Sequence, residues 1–234
     1  KGLPGKNIVP LAGKPLLAWT IEEAKKSAHI DRVILSSEDK QIMSVARDWG
    51  CEVPFPRPTE LARDDSPVMQ ALMHCVQNLK VKYDYLVSLS PTTPLRISQD
   101  IDCAIETCIE KDAPCISVSE PKVSPYWMFD LDNSGGMKAV VDIDTMDCQR
   151  QSLPQSVAIN GAIYVAKVEY LVSHGSYLTN DTVPFVMPRE RSTDVDSRLD
   201  SEICEYLLNR RIEANEFLSD ERHFGLLPTS LSDR

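Results

Sequence analysis

Histidine is scarce in this chain, four in 234 residues, and none of the four stands at an H-E-x-x-H spacing. Histidine-based catalysis therefore has little support. The seven cysteines (Cys51, Cys75, Cys103, Cys108, Cys115, Cys148 and Cys204) are odd in number and form no C-x-x-C pair. Most lie in apolar runs, so they are expected as reduced core thiols rather than disulfides or zinc ligands. No apolar run approaches the roughly 20 residues that a membrane span needs. The visible start does not read as a signal peptide, and the expectation is a cytoplasmic protein with no membrane segment. Positive charge is in deficit: 25 Lys and Arg against 35 Asp and Glu give a net charge of -10, a field that repels nucleic acid. Small anions can still be held where the few cations converge. Repeats and low-complexity segments are absent as well.

What the chain does have is an alternation of short β-rich runs and helix-period stretches. Helices are expected at 15–27, 38–50 (closed by Gly50), 66–80 (Ser66 as N-cap, Pro67 at N1), 98–111 and 200–214. Strands are expected at 32–37, 51–55, 84–90, 113–119, 160–166 and 182–187. Runs that are apolar throughout, not alternating, point to strands buried on both faces. The expected fold is α/β, with a mainly parallel sheet flanked by helices and ligands beyond the carboxyl ends of its strands. Residues 120–158 break the rhythm with Pro121, Pro125, Pro154, "DNSGG" and the aromatics Tyr126, Trp127 and Phe129. They are expected as an inserted arm. The α/β domain then comprises 1–119 and 159–214, with 215–234 a polar, irregular tail.

Five stretches could carry chemistry. "KGLPGKN" (1–7) combines two cations with two glycines ahead of a helix, where loops present N–H groups to phosphate. It is not a P-loop, because Asn7 follows Lys6 where a hydroxyl should ligate magnesium. A Gly/Pro-rich surface turn is the plain alternative. "DVDSRLD" (194–200) places Asp194 and Asp196 two apart. In an extended segment both carboxylates then share one face, which suits Mg2+, a cation commonly held by one or two carboxylates plus substrate phosphates. A solvated acidic turn, with Asp200 near a helix N-terminus, is the alternative. "SPTTPLR" (90–96) follows a strand and is either a ligand turn or a helix cap. "RPTELARD" (57–64) stiffens Arg57 between prolines, for a phosphate or carboxylate or for a surface pair with Glu60. "QRQSLPQ" (149–155) and "NGAIY" (160–164) put a cation and an Asn-Gly pair before a buried strand.

In this order the blocks resemble the acylneuraminate cytidylyltransferases, the CMP–sialic acid synthetases, over roughly residues 1–212. Members of that family open with a strand and a loop A-R-x-G-S-K-G-[LI]-P-x-K-N, and residues 1–7 look like its second half. The first strand and the Arg-Gly-Ser portion are then expected to be missing from the sequence. The resemblance implies a Rossmann-like nucleotidyltransferase, a dimerisation arm at 120–158 and a homodimer. The reaction it implies joins CTP and a nine-carbon α-keto acid sugar into CMP-sugar and pyrophosphate. Residue by residue, it implies nucleotide contacts from Lys1, Lys6, Asn7 and Arg57. Sugar contacts are implied for Ser90, Thr92, Arg150 and Asn160, and Mg2+ ligation for Asp194 and Asp196. Lys1, Lys6 and the two aspartates are the expected catalytic set. The family's glutamine is Ser90 here, and Arg198 replaces a glutamate. N-acylneuraminate is the expected substrate, and these departures keep legionaminic or pseudaminic acid as the alternative. A catalytically silent nucleotide-sugar binder on the same fold is the alternative of another class.

Overall fold

The structure, a computed structural model, describes residues 5–63, 65–141 and 149–224. Six α-helices occur among them: α1 (Leu16–Lys26), α2 (Lys40–Asp48), α3 (Val68–Asn78), α4 (Ser98–Lys111), α5 (Val168–His174) and α6 (Arg198–Phe224). The strands are β1 (Pro10–Leu11), β2 (Lys14–Pro15), β3 (Tyr85–Leu89), β4 (Cys115–Ser119), β5 (Phe129–Leu131), β6 (Met137–Ala139), β7 (Ala158–Lys167) and β8 (Val183–Val186). Local chemistry explains the ends of α2. The Asp39 carboxylate accepts from the N–H groups of Gln41 and Ile42 at 2.7 and 3.1 Å, and Gly50 beyond the helix takes φ +74°.

Two helix ends differ from expectation. Ser66 does not cap α3; its hydroxyl donates to the Glu60 carbonyl at 2.7 Å, and Pro67 directly precedes the first helical residue. α6 does not stop at residue 214 but continues to Phe224, so the expected irregular tail is helical over 215–224. Those residues contain neither Gly nor Pro, and the breakers arrive at Gly225 and Pro228.

The main sheet has the order β3-β7-β4-β8 and is mixed, not mainly parallel. β7 runs antiparallel to both β3 and β4, whereas β4 and β8 are parallel. The reason is the insertion. Among the described residues of 120–157 no α-helix crosses back to the start of β4, and the returning strand runs antiparallel beside it. The other three strands share one direction. Residues 32–37 and 51–55 contribute one parallel bridge, Ile34–Glu52, in place of two full strands. α4 covers one sheet face through Ile101, Ala104, Ile105 and Cys108, packed on Cys115, Ile163 and Val165. α3 covers the other, with Met69, Leu72 and Met73 against Ile116, Ala166 and Tyr177. Five of the six described cysteines are buried, and none is paired in a disulfide. Burial pushes the Cys115 and Cys204 thiols up to about 12, which makes them inert core groups. Within the insertion, β5 and β6 form a hairpin pairing Phe129 with Ala139 and Leu131 with Met137.

The turn that leaves β3 is held from inside. Arg96 is only 1% exposed. Its Nη1 donates to Ala162 O at 2.7 Å, Thr93 Oγ1 at 2.8 Å and Ser90 O at 3.3 Å, and its Nη2 donates to Thr20 Oγ1 at 2.7 Å. Burial lowers the guanidinium to about 10, so it is still cationic at neutral pH, with Asp100 and Glu23 as the nearby negative charges. One side chain thus joins the turn to α1 and β7. Arg96→Met strands buried acceptors and should lower stability by about 3 kcal/mol in urea denaturation. A loss below about 1 kcal/mol would mean that the clamp is dispensable.

Candidate active site

Three stretches far apart in sequence meet at Val195. Gly5, at φ +66°, opens a single 3-10 turn over Lys6–Ile8, and a left-handed residue there favours glycine. From that turn Lys6 Nζ donates to the Val195 carbonyl at 3.0 Å and to Asp196 Oδ1 at 2.8 Å. The Val195 N–H donates to the Thr92 carbonyl at 2.8 Å. Its side chain is 2% exposed, in a cluster with Leu11, Leu16, Trp19, Leu95, Cys204 and Leu208. Asp194 and Asp196 flank it, and both are exposed. The alternation of exposed, buried and exposed residues puts both carboxylates on the solvent side.

Asp200 does different work. Its Oδ2 accepts from Ser197 N–H at 2.8 Å and Ser197 Oγ at 2.7 Å, while its own N–H donates to Ser197 Oγ at 3.3 Å. This reciprocal cap starts α6, and the Ser197 hydroxyl is the main cause of the lowered pKa of Asp200. Arg198 pairs with Glu202 at 2.9 Å on the exposed face of the helix. The substitution at 198 therefore does not alter the carboxylate pair.

Thr92 is buried, and its hydroxyl lies 2.8 Å from that of Ser90. Arg57 is engaged by Glu38, not by Glu60: its Nε and Nη2 donate to Glu38 Oε2 at 3.1 and 2.5 Å. Asn7 follows Lys6 in the same turn and is half-buried. Asn160 is expected at a substrate, but its amide is spent on protein. Oδ1 accepts from Ser117 Oγ at 2.6 Å and Ala162 N–H at 3.1 Å, and Nδ2 donates to Ser192 Oγ at 2.9 Å. The backbone of Arg150 begins a one-turn 3-10 helix, Arg150–Ser152. Lys1 lies outside the described residues.

Two residues escaped the sequence reading. Glu38, inside "SSEDK", gave no signal that it would face Arg57. Tyr164 lies close enough to Asp194 for that charge, after burial, to raise its pKa. The apolar residue inside D-x-D was a usable cue, since it predicts which way the aspartates turn.

No group of three or more His, Cys, Asp or Glu able to enclose a metal occurs among the described residues. Two exposed carboxylates on one face fit Mg2+, which keeps waters and shares phosphate oxygens, better than they fit a metal that demands a full protein cage. Lys6 already neutralises one of them. The arrangement can gather a cation, a divalent metal and the phosphates between them.

A family model described as cytidylyltransferase matches residues 1–160. The CMP-N,N'-diacetyllegionaminic acid synthase of Legionella pneumophila is 31% identical over 218 residues, covering 92% of this chain and 94% of that protein. The N-acylneuraminate cytidylyltransferase of Escherichia coli is 29% identical over 206 residues, 87% of this chain and 48% of that longer protein. Among solved structures, a CMP:2-keto-3-deoxy-manno-octonic acid synthetase complexed with CTP superposes with a TM-score of 0.63 over 89% of this chain and 93% of that one. At 13% identity that likeness speaks to the Rossmann-like fold alone. Sequence and fold agree, and the chain belongs to the cytidylyltransferase family.

Proposed function

We propose that this cytidylyltransferase activates a nine-carbon α-keto acid sugar with CTP, and that the convergence of Lys6, Thr92 and the Asp194/Asp196 pair on Val195 is its reaction centre. The anomeric oxygen forms a bond to the α-phosphorus while the bond to the β-phosphate oxygen breaks. CMP-sugar and pyrophosphate result, and the anomeric proton is released. Positioning and charge stabilisation carry such a transfer. Lys6 supplies a cation to the phosphates and exchanges its bond to Asp196 for one to the nucleotide. Arg57, Asn7 and, from the loop, Lys1 serve the same nucleotide. Thr92 and Ser90 shape the sugar side, and Arg150 is assigned to the sugar by the resemblance of its segment to the family's. Asn160 acts indirectly, by fixing the strand behind that side. Asp194 and Asp196 would hold Mg2+, which when bound neutralises phosphate oxygens and orients them.

The sugar is proposed to be of the legionaminic type, with acylamido groups at two positions, in preference to N-acylneuraminate. Ser90 is short and its hydroxyl is taken by Thr92, so this wall offers room where the family's glutamine would reach in. The similarity to the Legionella synthase supports the same choice.

The hairpin gives a reading of assembly. Phe129, Leu131, Met137 and Ala139 share one face by their pairing, and Leu131 and Met137 are 78% and 64% exposed. We propose that this face meets its counterpart in a homodimer.

Asp196→Ala should abolish Mg2+-dependent CTP binding by calorimetry and lower turnover roughly 10²-fold or more. The exposed position predicts an almost unchanged urea midpoint. Binding and turnover that both survive would remove the carboxylate pair from the mechanism, and CTP binding with no product from any acid would favour the silent binder. For the sugar, the full-length protein is offered CTP with legionaminic, pseudaminic, N-acetylneuraminic and 3-deoxy-octulosonic acids separately, with products read by mass spectrometry. A higher kcat/KM for N-acetylneuraminic acid would overturn the choice of sugar while keeping the reaction. For assembly, light scattering at low micromolar concentration should give a dimer that Leu131→Asp splits. A monomer in the unsubstituted protein would rule the proposed dimer out.

A further inference from the structure

The Asn160 amide has no bonding capacity left over. Oδ1 accepts from Ser117 Oγ at 2.6 Å and from Ala162 N–H at 3.1 Å, which fills its acceptor sites. Nδ2 directs its hydrogens to the stretch that leaves β8, at Ser192 Oγ (2.9 Å) and Met187 Sδ (3.4 Å). The direction of each bond follows from partners that can act in one way only. Ala162 N–H can only donate, so Oδ1 is the atom that faces it. Ser117 Oγ accepts from Ile163 N–H at 2.7 Å and so gives its own proton to Asn160. Ser192 Oγ donates to the Pro188 carbonyl at 2.8 Å, which leaves a lone pair for Nδ2. The side chain is a bracket between the irregular part of β7 and the chain beyond β8.

That chain carries the two aspartates. Ahead of them, Arg191 Nε and Nη2 donate to the buried Asp100 carboxylate at 2.8 and 2.7 Å. Behind Asp194, Val195 N–H is bonded to the Thr92 carbonyl, and Asp196 is paired with Lys6. Asp194 has no such tie: among the described residues no hydrogen bond or ion pair reaches its carboxylate. Its place is therefore that of its backbone. Between Ser192 and Val195 there are only Thr193 and Asp194, so two fixed ends leave that backbone little room. The Arg191 tie runs through a long side chain whose many torsions can absorb a backbone shift. Ser192 is tied through a single Cβ–Oγ bond. Its own N–H donates to Arg189 O at 3.1 Å, which closes the 3-10 turn on itself and joins it to nothing else.

We propose that Ser192, held by Asn160, is a positioning residue for Asp194, and that its hydroxyl sets the spacing of the two carboxylates. Mg2+ demands near-ideal octahedral geometry, so a shift of one carboxylate is felt in the affinity of the pair. The proposal rests on the reading of Asp194 and Asp196 given above. It assigns Asn160 to the metal side of the centre, through Ser192, in place of a contact with the sugar.

Ser192 is the position to change, because Asn160 also serves Ala162. CTP binding to the full-length protein is followed by calorimetry at stepped Mg2+ concentrations, for the unsubstituted protein, Ser192→Ala, Ser192→Thr and Asp196→Ala. Ser192→Ala should raise the half-effective Mg2+ concentration about 10-fold, with metal-free CTP affinity within about twofold of the original. Ser192→Thr keeps the hydroxyl and should bring the Mg2+ midpoint back to within about threefold. The KM for legionaminic acid, measured at saturating Mg2+, should not change. A lowered urea midpoint with an unmoved Mg2+ midpoint would make Ser192 structural only and overturn the proposal. A raised KM for the sugar with an unmoved Mg2+ midpoint would also overturn it and return Asn160 to the substrate. Equal loss of CTP affinity with and without Mg2+ counts against it as well. If the unsubstituted protein binds CTP without regard to Mg2+, the reading of the carboxylate pair falls and the proposal with it. If Mg2+ matters and Asp196→Ala abolishes its effect while Ser192→Ala leaves it intact, the positioning role alone falls.

Discussion

The placement of Val195 is the constraint on which the site depends. Burying a valine side chain contributes about 1.5–3 kcal/mol, whereas burying an unpaired carboxylate costs far more. A slip of one residue would exchange the valine for an aspartate, so the segment has one acceptable phase. That phase puts Asp194 and Asp196 into solvent together. The N–H and C=O of the same residue are taken by Thr92 and Lys6, so the phase also fixes where the opening loop and the turn after β3 come to rest. Packing chooses the geometry, and the polar groups inherit it.

Charge explains how an acidic protein can receive a triphosphate. Among the described residues, two of the cations proposed for the nucleotide are already paired, Lys6 with Asp196 and Arg57 with Glu38. The Lys6 and Asp196 side chains are 26% and 72% exposed, and pairs of that kind contribute only about 0–1 kcal/mol. Such a contact holds a side chain in place yet yields cheaply to a stronger anion. In the proposed reaction the pairs are placeholders, and the site is positioned before the nucleotide arrives.

Much of this was legible in the sequence. α1, α2 and α4 followed from periodicity and stop signals, and α4 began and ended at the expected residues, Ser98 and Lys111. The direction of β7 was not legible, because an apolar run looks the same whether its neighbours run with it or against it. Only the connection decides, and the connection here is the insertion. The cap of α3 failed for a related reason: Ser66 had a competing acceptor in Glu60, set by the fold and not by the neighbouring sequence. At the site, the D-x-D spacing told which residues share a face. It could not tell that Lys6, 190 positions away, would meet them.

Asn160 is expected from the sequence at a substrate, and in the fold its amide is bonded to Ser117, Ala162 and Ser192. The β4–β7 pairing shifts register between Ile116 and Val118, opposite residues 160–163, and Gly161 takes φ +73° there. Such an irregularity takes peptide groups out of the ladder, and each must find another partner inside the core. Ala162 N–H finds Asn160 Oδ1, Ile163 N–H finds Ser117 Oγ, and Ala162 C=O finds Arg96 Nη1. Arg96 in turn grips Ser90 and Thr93, and Thr92 in the same turn grips Val195. The strand irregularity is therefore the anchor of the turn after β3, and "NGAIY" and "SPTTPLR" satisfy each other's polar groups. A change at Asn160 would reach the turn after β3 through Ala162 and Arg96 in sequence.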